Sequence, residues 1–397
     1  MNYFKTIDAK QEIIKLLGEN VNNDRVKKEL SKLSSTNFKQ ILLAKYISDI
    51  LKENNYYFYV SSDANNLYIN YLLGITNVNP LEYSLPFELN TLHYGFICPN
   101  NDSKELVINK LMELTGNNIS NYKYNNEGKI VEVKWKYIIP LKENIKIPNE
   151  LNSINKDYLV FNLNVSDKLD KLNYFINKYG LPNKDIYNDD KINYEIFAVN
   201  RIAGIDYSKN SLIMERLLKK ISEDKWIFNT YLYISSALWM NRESVNVILN
   251  KTIDEGLMQK YPASKDSLFS LLLDNGVSKK TALKIVNNSL ETNNKLKKYI
   301  PEYLIEYLKN TYLVGLGHVI SLAKIDYLNM YYKITAPDYY EVMLGDYINE
   351  FNNINMDDIQ KYCLEYESDN YDKRIEESSK YYYSKLYLEY KNVSKIV

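Results

Sequence analysis

DYLVFNLNVSDKLDKLNYFINKYGL, residues 157–181, is where the chain changes character. Its first part, YLVFNLNV (158–165), is a short apolar run of strand length and reads as a β-strand. From about residue 166 the apolar spacing turns helical and stays so almost to the end. The helical pieces are short and are separated by Gly180, Gly204, Gly256, Gly276 and Pro301.

Upstream the pattern is mixed. KIVEVKWKYIIPL (129–141) alternates like a half-buried strand, and GFICP (95–99) reads as a short buried one. Between them SKELVINKLMELTG predicts a helix ending at Gly116. YYFYV (56–60) is aromatic and β-prone, and the polar turn SSDANN follows it. LYINYLLGI (67–75) fits a buried helix or a strand, with a turn over Thr76–Pro80, and residues 8–53 have helical spacing. Strands before 166 and helices after it predict an α+β protein. Its expected parts are a sheet-containing region with a helical lead-in (1–165), a mainly helical region (166–335) and an acidic helical segment (336–397).

Composition narrows the function classes. No apolar run reaches the length of a membrane-spanning helix; the longest, near 311–323, is interrupted by Gly315, Gly317 and His318. The start, MNYFKTIDAKQEIIKLL, carries Asp8 and Glu12 and no small-residue cleavage site, so no secretion signal is expected and the cytoplasm is the expected compartment. Cys98 and Cys363 are too few for a disulfide framework, and with only His93 and His318 beside them no structural zinc or other cofactor is expected. Tyr occurs 39 times against 11 Phe. Stacked tyrosines can form a platform for single strands, but an AT-rich coding sequence produces the same bias. Net charge is zero, which argues against a large nucleic-acid footprint; residues 201–330 nevertheless carry +5 and residues 331–397 carry −5.

Five segments, in order, carry a family resemblance. YLLGITNVNPLEYSLPFE (71–88) is similar to the Gly/Ser-loop region of bacterial DNA polymerase III alpha subunits of the PolC and DnaE type. RVKKELSKLSSTNFKQILLAKYI (25–47) looks like the helical lead-in, and 157–181 resembles the segment with the third catalytic aspartate. LFSLLLDNGVSKKTALKIVNNSL (268–290) and PEYLIEYLKNTYLVGLGHVISLAKIDYLNMYYK (301–333) resemble the helical fingers. The resemblance implies a nucleotidyltransferase-type palm followed by fingers, with little room for a thumb. Nuclease, phosphoesterase-like and clamp-binding modules have no counterpart in these residues.

It also implies chemistry that this sequence lacks. Two-metal phosphoryl transfer needs several carboxylates converging on hard cations. Counted without gaps from Phe87–Glu88, the family's first two acids fall on Asn100 and Asp102; anchored on Gly116 they fall on Tyr94 and Phe96. The third falls on Asn162. At most Asp102 remains, and no metal is expected. The phosphate-cradling Gly-Ser-Arg-Gly-Ser loop matches VSSDANN (60–66), which has no glycine or arginine and carries Asp63. The fingers' Lys-Ala-His reads Leu316-Gly317-His318, which removes a cation; His318 itself fits a packed helix residue as readily as a catalyst.

Two further patterns bear on DNA. Residues 231–260 can be read as a helix-turn-helix presenting Arg242, Asn246 and Lys251, or as a helical pair within the fingers. Lys279, Lys280 and Lys284, then Lys295, Lys297 and Lys298, form the densest basic stretch, suited to sequence-independent phosphate contact or to a solvated helix face. No hydrolase triad, dinucleotide motif or P-loop is present. The expectation is a non-catalytic, polymerase-like protein of DNA replication, an initiator of a plasmid or phage that binds DNA. The alternatives are a regulator that binds host replication proteins without DNA, and a residual nucleotidyltransferase around Asp102. No membrane partner is expected.

Overall fold

The computed structural model describes residues 2–89, 92–117, 119–124, 134–142, 156–183, 185–198, 214, 217–240, 242–249, 260–287, 298–308, 313–368 and 378–393. They form two compact units. The first is Met1–Lys178 with Gly315–Ser321; the second is Tyr179–Val314 with Leu322–Val397. The protein is α+β, with a mixed sheet in the first unit and helices in the second.

Strands β1 (Tyr59–Val60), β2 (Tyr94–Cys98), β3 (Ser120–Tyr124), β4 (Lys134–Pro140) and β5 (Tyr158–Val165) form one sheet in the order β1-β2-β5-β4-β3. β5 is central, and its first six residues are all buried, which is why its sequence is a near-continuous apolar run rather than an alternation. β2 runs parallel to it, and the other pairings are antiparallel. The segments read as strands, GFICP, KIVEVKWKYIIPL and YLVFNLNV, thus contribute β2, β4 and β5 to one sheet, although 129–133 lie outside the described residues.

Helix Ser35–Glu53 starts at a capping box in which Ser34 and Asn37 satisfy each other's backbone amides. Its apolar face, with Phe38, Ile41, Leu42 and Ile47, joins Phe96, Phe161 and Leu163 in the core. Helix Asn101–Thr115 adds Val107 and Leu111 and ends at Gly116 in the left-handed region, φ 64°. Buried Gln40 donates to Val160 O at 2.6 Å and accepts from Val160 N at 3.2 Å, so a side-chain amide supplies the pairing that β2, which begins opposite Phe161, does not. The ambiguous stretch 67–75 is helical over Tyr68–Leu72 and stops at Gly74, φ 68°.

The second unit buries tyrosines. Tyr231, Tyr327, Tyr332 and Tyr339 are almost fully enclosed, and their hydroxyls donate to Asp326 (2.9 Å), Asn193 (2.8 Å), Gly180 O (2.5 Å) and Asn329 (3.0 Å). Part of the tyrosine excess is therefore core, and the polar tips of these four are satisfied. Among the described residues no helix is long and apolar enough to cross a membrane.

Candidate functional site

The polar turn after β1 is densely bonded. Ser61 N donates to Gly95 O at 2.7 Å, and a methyl group at Gly95 would press on Ser61 O at 3.2 Å, so the glycine lets the turn lie close on β2. Residues Asp63–Asn66 make a 3₁₀ turn begun by Ser62, whose hydroxyl accepts from Ala64 N. Asn65, fully buried, donates to Val60 O (2.8 Å) and Gly317 O (3.0 Å) and accepts from Thr76 Oγ1 (2.5 Å). Asn70 donates to Ala64 O (2.8 Å) and accepts from the Tyr94 hydroxyl (3.0 Å). Arg25 clamps the far end, donating to Asn66 O (2.9 Å), Leu85 O (3.0 Å) and the buried Glu29 carboxylate (2.6 Å). Glu29 in turn accepts from Tyr68 N and Ile69 N, both at 3.0 Å, at the start of helix Tyr68–Leu72; burial pushes its carboxyl up against the pull of these donors.

The other wall is the sequence-remote stretch Gly315–Ser321, which opens helix Leu316–Thr335. Ser61 Oγ and His318 Nδ1 lie 3.1 Å apart, and Ser321 Oγ donates to Val60 O at 3.1 Å. Burial holds His318 down to about 4, so the imidazole is neutral near pH 7. Close packing requires the glycine at 317, and the glycine at 315 leaves the space that the Asp63 carboxylate fills. A methyl group at Gly315 would sit 1.8 Å from Asp63 Oδ1, and one at Gly317 would sit 2.5 Å from Asn66 Oδ1 and 2.9 Å from Asn65 Cβ. The Asp63 carboxylate therefore lies directly against the first residues of a 20-residue helix, the end at which the helix dipole favours negative charge.

The three degenerate metal positions do not converge. Asn162 pairs with Gly95 across β2–β5, on the sheet face opposite to Tyr94 and Phe96. Its amide nitrogen lies 3.3 Å from His93 Nε2, and its buried Oδ1 has no hydrogen-bond partner among the described residues. Asn100 lies five residues beyond Gly95 in the chain, past the end of β2 at Cys98. There it caps helix Asn101–Thr115, accepting from Ser103 N at 3.0 Å and donating to Asp170 at 2.7 Å. Asp102 is exposed in the first turn of that helix. Among the described residues no group of three or more His, Cys, Asp or Glu side chains is placed to hold a metal ion.

The positions expected to meet DNA belong to the second unit. Lys279, Lys280 and Lys284 are exposed on helix Lys279–Asn287, which buries Ala282, Ile285 and Val286, and Lys298 is exposed as well. Arg242 and Asn246 lie on helix Arg242–Leu249, and Lys251, Lys295 and Lys297 fall outside the described residues. Sequence reading gave Asn65, Gly315 and His93 no role in a site. Only the closeness of Gly315 and Gly317 to His318 in the chain hinted that a tight backbone approach lay there.

Residues 6–92 match the family described as the bacterial DNA polymerase III alpha NTPase domain. No curated protein matches the chain. The matched stretch contains Arg25, Glu29, Asn65, Asn66, Asn70 and Thr76, so it includes one wall of the bonded turn and the groups that brace it. It ends before β2 and so includes none of the three degenerate metal positions.

Proposed function

We propose that this chain is a non-polymerising relative of the polymerase III alpha core that serves DNA replication by binding DNA. The observation that carries the reading is the Asp63 carboxylate lodged against Gly315 at the start of helix Leu316–Thr335. An anion-favouring helix start, flanked by a turn that resembles a phosphate-cradling loop, is filled by the chain's own negative charge. A triphosphate arriving there would meet repulsion instead of donors. The separate places of Asn100, Asp102 and Asn162 point the same way, because these three positions bring together no carboxylate set for a two-metal reaction. The polymerase III alpha match favours nucleic acid as the partner, and the exposed lysines of helix Lys279–Asn287 supply sequence-independent phosphate contacts. A plasmid or phage initiator is the form of this role that fits a retained scaffold without its chemistry.

Primer extension with Mg²⁺ or Mn²⁺, run beside a gel-shift series on a duplex, tests both halves. No extension and salt-sensitive duplex binding are expected. Extension that Asp102→Ala abolishes overturns the non-catalytic half, and absence of binding at low salt to that duplex and to a single strand of its sequence alike overturns the other.

A further inference from the structure

Two exposed tyrosines of the second unit, four residues apart in the chain, each stand beside a lysine. Tyr299 and Tyr303 are 40% and 43% exposed, in a protein that buries many of its tyrosines. Lys298 Nζ lies 4.9 Å from the Tyr299 ring centroid, and Lys260 Nζ lies 5.3 Å from that of Tyr303. The Tyr303 ring is held edge-on against Tyr261 at 5.9 Å, and Tyr261 against Tyr307 at 5.1 Å. Both supporting rings are buried, and the Tyr233 hydroxyl donates to Tyr261 O at 3.0 Å, so Tyr303 rests on a fixed base. Residues 260–308 carry eight lysines against five acids, and one of those acids, Asp266, is buried.

We propose that Tyr299 and Tyr303, with Lys260 and Lys298, bind single-stranded nucleic acid, the rings stacking on bases and the ammonium groups meeting phosphates. Exposed rings interleaved with cations are what an unpaired strand requires, since every base offers a π-face and every nucleotide a negative charge. A duplex does not fit the rings, because its base faces are already stacked on one another. A protein partner fits less well, because the centres of protein–protein interfaces are depleted of lysine, and here lysines sit beside both rings. The inference rests on the DNA-binding reading above and adds the strand state and the residues that recognise it.

Fluorescence anisotropy of the full chain with a labelled oligo-dT and with a duplex of equal length, over a salt range, tests it. The double variant Tyr299→Leu/Tyr303→Leu should weaken oligo-dT binding about tenfold or more and duplex binding by less than about twofold, since stacking is worth roughly 1–3 kcal/mol per base. Tyr299→Phe/Tyr303→Phe keeps the rings and should bind like the parent. Lys260→Glu/Lys298→Glu should lower the salt slope on oligo-dT by about 0.7 for each phosphate no longer neutralised, and it decides the matter if the leucine variant does not fold. An unchanged slope in that variant, or equal losses on both nucleic acids in the leucine variant, overturns the proposal. Duplex binding without oligo-dT binding sinks the stacking site alone; binding to neither sinks the DNA-binding reading with it.

Discussion

The turn at 60–66 and the tyrosine core of the second unit bury polar groups in opposite ways. Around the turn, asparagine amides and a carboxylate press against backbone at van der Waals distance, and glycines at 95, 315 and 317 make the room. In the tyrosine core, bulky rings fill the volume and a single hydroxyl at each tip finds one acceptor. The first arrangement tolerates almost no added atom. The second tolerates loss of one atom at the cost of one hydrogen bond. A turn packed by backbone approach is the geometry that brings peptide amides to an anion. Here the Asp63 carboxylate fills the space beside Gly315.

The largest expected effect breaks the tight side of that comparison. Gly315→Ala places a methyl carbon on the Asp63 carboxylate, and forcing extra atoms into a packed site typically costs about 1–3 kcal/mol. Urea denaturation should show that loss. Asp63→Ala removes the opposing atoms, so the double variant should recover most of it, a coupling that only direct apposition of the two positions produces. Equal destabilisation of the single and double variants would mean that the carboxylate is not what occupies the helix start.

His318 sharpens the same side by pH. Its ordinary value is 6.5, and burial holds it near 4 in the folded chain. Between these values the unfolded chain binds a proton that the folded chain refuses, so stability rises with pH across that window and falls on acidification through it. The expected loss between pH 6.5 and 4 is on the order of 2 kcal/mol from this group. His318→Gln should flatten that part of the stability–pH curve while leaving the decline caused by carboxylates below it. An unchanged curve would place His318 in contact with solvent rather than against Ser61.

How far the sequence revealed these regions follows from where each gets its constraints. β5 was legible because burial on both faces writes itself into consecutive residues 158–163. The helix at 101–115 was legible because Gly116 stops it locally, in the left-handed region. The stretch 67–75 was ambiguous because its helix spans five residues, too few to show a period. The turn was not legible as a site, since Asn65 meets Gly317 across 252 positions of chain and no local pattern encodes that meeting. Neither placement of the first acids survived as a cluster. Asn100 is used as a helix cap, and Tyr94 and Phe96 point into the core, so the sheet face beside Asn162 carries Gly95 instead.

The smallest expected effect belongs to the tyrosine core. Tyr327 is fully buried and its hydroxyl donates to Asn193 Oδ1 at 2.8 Å. Tyr327→Phe keeps the ring packing against Phe228 and Tyr231, at 4.9 and 5.4 Å, and deletes one oxygen. Asn193, itself 5% exposed, then loses a donor that water cannot easily replace. The cost should be about 1–2 kcal/mol in urea denaturation. Tyr194→Phe, at a position 52% exposed, should change stability by less than about 0.5 kcal/mol. If both variants fell within that smaller range, the buried hydroxyls would contribute nothing. The tyrosine excess would then reflect coding bias even inside the core, where the rings alone would be sufficient. A measurable gap between them instead assigns a structural reason to tyrosine over phenylalanine at Tyr327. By the same logic Tyr299 and Tyr303, which are exposed, need a different reason for their rings.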